Sequence, residues 1–93
     1  MTRRRGPLEI QCNILEIADK GVNKTRLVYG SNTNFRTIAP HLIELYDLGF
    51  ITIKGNRHAV YQTTEDGRKF VNSYRDLLGI REVRQKLQRT RNI

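Results

Sequence analysis

The 93-residue chain has no tryptophan, one methionine, two prolines and a single cysteine. One thiol, Cys12, excludes an intramolecular disulfide and a cysteine-cluster metal site, and it reads as a structural thiol within a helix. The two histidines, His41 and His58, stand in no metal-ligand spacing with Cys, Asp or Glu. A glycine-rich phosphate loop, a nucleophile elbow and a conspicuous carboxylate pair are all missing. The expectation is a protein that is not an enzyme, with no catalytic residues, metal or cofactor. No apolar run approaches the roughly 20 residues of a membrane span, and Met1-Thr2-Arg3-Arg4-Arg5-Gly6-Pro7 lacks the hydrophobic core of a secretory signal. A cytosolic protein without membrane contact is expected, built as one domain on a modest core, since only 38% of residues are apolar.

Acidic residues are also scarce, nine against seventeen Lys and Arg, for a net charge of +8. Placement matters more than the total. Residues 2–5 carry Arg3, Arg4 and Arg5, and residues 81–93 carry Arg81, Arg84, Lys86, Arg89 and Arg91 against Glu82. Within the body, residues 20–64 hold Lys20, Lys24, Arg26, Arg36, Lys54 and Arg57 against only Glu44 and Asp47. Two basic ends and a basic middle suit a polyanionic partner.

Helical spacing of Ile10, Ile14 and Ile17, with Pro7 at the first turn and Gly21 as stop, predicts a first helix over 7–20. Val22 reads as a single bridge residue. Asn23 is an N-cap for a short second helix that buries Leu27 and Val28 and ends at Gly30; Tyr29 either closes the core behind the turn, the favoured reading, or stacks or bonds a phosphate. Asn32, Thr33 and Asn34 are each candidate caps for a third helix. Phe35, Ile38, Leu42, Leu45 and Leu48 predict its buried face; Asn34, Arg36, Thr37, His41 and Glu44 predict a polar outward face. Pro40 either kinks this helix, the favoured reading, or splits off its first turn. Gly49 ends it. Residues 50–54 and 59–63 read as strands joined by Gly55-Asn56-Arg57-His58. Thr64 caps a fourth helix whose stripe of Phe70, Tyr74, Leu77, Ile80, Val83 and Leu87 extends beyond what the domain can cover, which suits pairing with a second copy.

Two short helices about a tight turn, followed by a hairpin, define an α+β fold of the winged helix-turn-helix type: a three-helix core, a β-hairpin wing and a C-terminal fourth helix. The expected organisation is a disordered basic arm at 1–6, a winged helix-turn-helix at 7–64, and a C-terminal helix with basic tail at 65–93. The outward face of the third helix enters the major groove in this motif. The candidate double-stranded-DNA contacts are therefore Asn34, Arg36, Thr37 and His41 from that helix, Lys24 and Arg26 from the second, and Lys54, Arg57 and His58 from the wing. The basic arms fit RNA as well. A third possibility, a winged helix that docks proteins, calls for an apolar patch on the third helix or the wing.

The run Lys24-Thr25-Arg26-Leu27-Val28-Tyr29-Gly30-Ser31-Asn32, with Leu45-Tyr46-Asp47-Leu48-Gly49-Phe50-Ile51 and Tyr61-Gln62-Thr63-Thr64-Glu65-Asp66-Gly67, resembles the archaeal ten-kilodalton winged-helix DNA-binding proteins, the small basic nucleoid or regulator type. The resemblance covers residues 7–80. It implies a homodimer whose last helices pair as an antiparallel coiled coil. It also implies sequence-tolerant DNA binding, in nucleoid organisation or transcription regulation. Pro40 and the short, very basic tail depart from the pattern.

Overall fold

A computed structural model gives the fold; it describes residues 6–91, with side chains described for residues 6–80. The element order is α1 (Pro7–Ile17), α2 (Lys24–Gly30), α3 (Phe35–Asp47), β1 (Ile51–Lys54), β2 (Val60–Thr63) and α4 (Glu65–Arg91). Ile14, Leu15 and Ala18 of α1 and its following turn, Leu27 of α2, Ile38, Leu42 and Leu45 of α3, Ile51 and Tyr61 of the wing, and Val71 of α4 form one buried cluster.

Pro7 occupies the first turn of α1 as expected, but the helix ends at Ile17 rather than at residue 20. The reason is a competing acceptor role. The Ala18 carbonyl takes the Thr63 N–H at 3.0 Å and the Gly21 N–H at 3.1 Å, so it is committed to the wing and the turn. Thr63 Oγ1 also donates to the Leu15 carbonyl at 2.6 Å, which seats β2 on the end of α1. Val22 pairs with Tyr61 through both backbone bonds, at 2.9 and 2.7 Å, an isolated bridge along the other edge of β2.

Both helices of the motif begin and end in the same way. Asn23 Oδ1 accepts the Arg26 N–H at 2.8 Å, and Asn34 Oδ1 accepts the Thr37 N–H at 2.9 Å; each meets an amide the helix leaves unpaired. At the C-terminal ends, α2 closes on Asn32 in the left-handed region, φ 55°, and α3 on Gly49, φ 77°. In each case the next two amides return to carbonyls of the last turn: Asn32 N–H to Tyr29 and Thr33 N–H to Val28, then Gly49 N–H to Tyr46 and Phe50 N–H to Leu45. Helix α2 ends at Gly30 as expected, and Asn32 supplies the left-handed turn that follows it. Helix α3 runs unbroken through Pro40.

The wing is an antiparallel pair with Ile51 opposite Thr63 and Lys54 opposite Val60. Its base is locked to α4. Thr64 Oγ1 donates to the Gly49 carbonyl at 2.7 Å and accepts the Gly67 N–H at 3.1 Å. Phe50 and Phe70 stack with centroids 5.0 Å apart. Gly67 is there for closeness: a Cβ on it would collide with the Phe50 carbonyl oxygen and lie 2.7 Å from Thr63 Cγ2. Along α4, Phe70, Val71 and Tyr74 pack on the core, whereas Leu77 and Ile80 are exposed. Arg68 bonds Asp19 at 2.6 Å and Arg75 bonds Glu16, so two ion pairs fasten α1 and the turn after it to α4.

Candidate nucleic-acid interface

The expected contact residues fall into three groups. Lys24, Arg26, Arg36, Lys54, Arg57 and His58 are exposed, on the helix-turn-helix and the wing. None of Lys24, Arg26, Arg36, Lys54 and Arg57 has a carboxylate partner among the described residues, in contrast to Arg68 and Arg75. Lys24 is held by a ring instead, its Nζ 4.8 Å from the Phe35 centroid, an attraction of the cation to the ring's negative face. This contact bridges the first residue of α2 to the first residue of α3.

Asn34 and Thr37 form the second group. They are exposed but bonded to each other through the cap, so one lone pair of the Asn34 carbonyl oxygen is used on the helix and its NH2 group is left to donate outward. His41 stands alone in the third group, and here the expectation of an outward residue is corrected. The ring is half-buried on the flank of α3 that meets α1. The buried Gln11 places its Nε2 3.2 Å from His41 Nδ1 and donates to Glu44 Oε2 at 3.0 Å. That small network satisfies Gln11 inside the helix–helix contact.

Arg3, Arg4 and Arg5 lie outside the described residues, as do the side chains of Arg81, Arg84, Lys86, Arg89 and Arg91 and of Val83 and Leu87. Of the apolar stripe on α4, Phe70 and Tyr74 pack on their own domain's core, and Leu77 and Ile80 stand clear of it. Cys12 is 1% exposed and burial pushes its thiol up to about 11, which leaves it protonated and unsuited to a nucleophile or metal ligand at neutral pH. Among the described residues no group of His, Cys, Asp and Glu is placed to hold a metal ion, and no helix is long and apolar enough to cross a membrane.

A family model described as winged helix-turn-helix matches residues 4–82. The chain belongs to the winged helix-turn-helix family. Its fold is similar to the crystal structure of Sso10a-2, a DNA-binding protein from Sulfolobus solfataricus, with a TM-score of 0.83, 26% identity and 92% of each chain covered. No curated protein sequence matches it. The resemblance to the archaeal winged-helix proteins thus holds at the level of the fold and of the family.

In this winged helix the sequence reading missed a second apolar face on α3. Phe35, expected in the core, is 49% exposed, and Leu48 is 54% exposed. Steps of three residues fall about 60° short of a full turn, so a stripe that takes such a step at each end walks off the buried face. Phe35 instead aligns with Ala39, Ile43 and Tyr46, all exposed, Ile43 at 64%. Their spacing of four, four and three was visible in the sequence as a second stripe, beyond what one core-facing helix needs. Tyr29 is 80% exposed and closes nothing; position 29 points away from Leu27 and Val28, which do face inward.

Proposed function

We propose that the chain binds double-stranded DNA through its helix-turn-helix and wing. The observation that carries the reading is the set of exposed cations on α2, α3 and the wing that have no carboxylate partner, on a fold shared with a DNA-binding protein. Arg36, with Asn34 and Thr37 beside it, is placed on the exposed N-terminal half of α3, the part that meets base edges in such motifs. Lys24 and Arg26 open α2, and they take flanking phosphates. Lys54, Arg57 and His58 carry the wing to the adjoining backbone or minor groove. The exposed Leu77 and Ile80 on α4 support a homodimer paired along that helix. A dimer holds two reading heads at a fixed spacing, suited to a regulator or a nucleoid-associated protein of the cytoplasm, with the basic arms Arg3–Arg5 and 81–91 adding phosphate contacts.

The test is fluorescence anisotropy on a duplex across a salt series. Each neutralised phosphate contributes a slope of about 0.9. Steep salt dependence that weakens on Lys24→Ala and Arg57→Ala supports the reading; binding indifferent to those changes refutes it. Preference for a single-stranded RNA competitor moves the assignment to RNA. Sedimentation of Leu77→Glu checks the dimer, which should dissociate.

One observation favours a second reading. The protein-docking alternative called for an apolar patch on α3 or the wing, and Phe35, Ile43 and Tyr46 supply one.

A further inference from the structure

We infer that the exposed stripe Phe35, Ala39 and Ile43 on α3 reads the 5-methyl groups of thymine, which gives this protein a preference for A·T-rich duplex without a fixed operator. The inference rests on the DNA-binding reading above and deepens it.

The first argument is what α3 lacks. Hydrogen-bond readout needs side chains with free donors and acceptors at base edges. Among the described residues the outward N-terminal half of α3 offers few. Asn34 already gives one lone pair of its oxygen to the Thr37 amide, which holds its side chain against the helix end and constrains the two-bond contact that recognises adenine. His41 is turned to Gln11 and α1. Arg36 is the one long polar side chain left with its full capacity. A helix so equipped discriminates bases poorly by hydrogen bonds.

The second argument is what it has. Phe35, Ala39 and Ile43 recur every four residues and are all exposed, so they form a ridge along one side of the helix with a step of about 6 Å. Side chains of this kind are the ones that make apolar contact with the thymine methyl, which projects into the major groove.

The third is the charge around the ridge, which decides between a nucleic acid and a protein as its occupant. Lys24 sits over the outer edge of the ridge at Phe35, and Arg36 adjoins it in the chain. The acidic residues of α3, Glu44 and Asp47, lie towards its C-terminal end, and Glu44 is bonded to Gln11. The apolar ridge is therefore flanked by cations at the end that enters a groove and by carboxylates at the end that leaves it. Tyr46 and Leu48, at the acidic end, fall outside the inferred contact.

Removing the methyl while keeping every hydrogen-bonding group isolates the claim. Binding of the full chain is measured on an A·T duplex and on the same duplex with deoxyuridine for thymidine, and on a G·C duplex with and without 5-methylcytosine. Loss of contact with one buried methyl weakens binding roughly fourfold. The thymine duplex should bind at least about fourfold tighter than its uracil counterpart, and 5-methylcytosine should strengthen binding to G·C. In the doubly substituted Ala39→Ser, Ile43→Ser protein, whose changes lie on exposed positions, both ratios should fall towards one, leaving only the share that Phe35 reads. Ratios of one in the unsubstituted protein, with duplex binding intact, overturn the inference and leave the DNA-binding reading standing. Ratios unchanged by the double substitution also overturn it, since Ala39 and Ile43 then read no methyl. No binding to any duplex removes both readings. Disassembly of an oligomer by Ile43→Ser, with methyl ratios of one, identifies the ridge as a contact between copies.

Discussion

The wall where α1 meets α4 and the surface formed by α2, α3 and the wing are made of similar residues, arginines among aliphatics, yet they are built to opposite ends. In the wall, each guanidinium has a carboxylate, Arg68 with Asp19 and Arg75 with Glu16, and the apolar side chains Leu15, Val71 and Tyr74 pack inward. On the other surface Lys24, Arg26, Arg36, Lys54 and Arg57 have no carboxylate among the described residues, and Phe35, Ile43 and Tyr46 face solvent. Composition does not separate a structural surface from a binding one; partnership does. Residues whose charge and area are already used hold the domain together, and those left unused are available to a ligand.

The contrast can be broken outright by removing what both surfaces share. Ile38 is fully buried between them, and Ile38→Ala should cost about 2–5 kcal/mol in urea unfolding, with DNA binding lost in proportion to the unfolded fraction. Next in size, Gly67→Ala forces a methyl against the Phe50 carbonyl, and a loss of about 1–3 kcal/mol is expected by the same assay. Sharper tests treat the surfaces separately. Asn34→Ala removes the α3 cap and should cost about 1 kcal/mol of stability. Arg75→Ala opens a half-exposed ion pair and should change stability by at most about 1 kcal/mol, with the salt slope of DNA binding unchanged. Arg57→Ala should do the reverse, with no measurable stability change and a salt slope lower by about 0.9. Equal slopes for the last two proteins would erase the distinction between the surfaces.

Much of the frame was legible because it rests on local rules. The Asn23 cap and Thr64 at the start of α4 both follow from a few neighbouring residues. The wing was placed to within a residue at each end, through its turn signals. What escaped depends on angles and on distant partners. The orientation of His41 is set by Gln11, thirty residues earlier, a polar side chain in an apolar stripe with no local signal of its purpose. The exposure of Phe35 and Leu48 reflects the drift of a stripe around the helix, which spacing in threes and fours does not resolve. The end of α1 moved for the same kind of reason, since the Ala18 carbonyl was claimed by a strand distant in sequence; α2 ended at Gly30 as expected, with its left-handed turn at Asn32. Likewise, the neutralisation of Arg68 and Arg75 becomes visible only once α4 lies against α1.

The junction of Gly49, Phe50, Thr64, Gly67 and Phe70 has a mechanical consequence. It joins the last turn of α3, the root of both wing strands and the first turns of α4 by two hydrogen bonds of one hydroxyl, a stacked pair of rings and a backbone approach too close for any side chain. Such a joint has no slack. Under the proposed function, helix α4 is then a handle on the reading head: a second copy gripping it would turn α3 and the wing together.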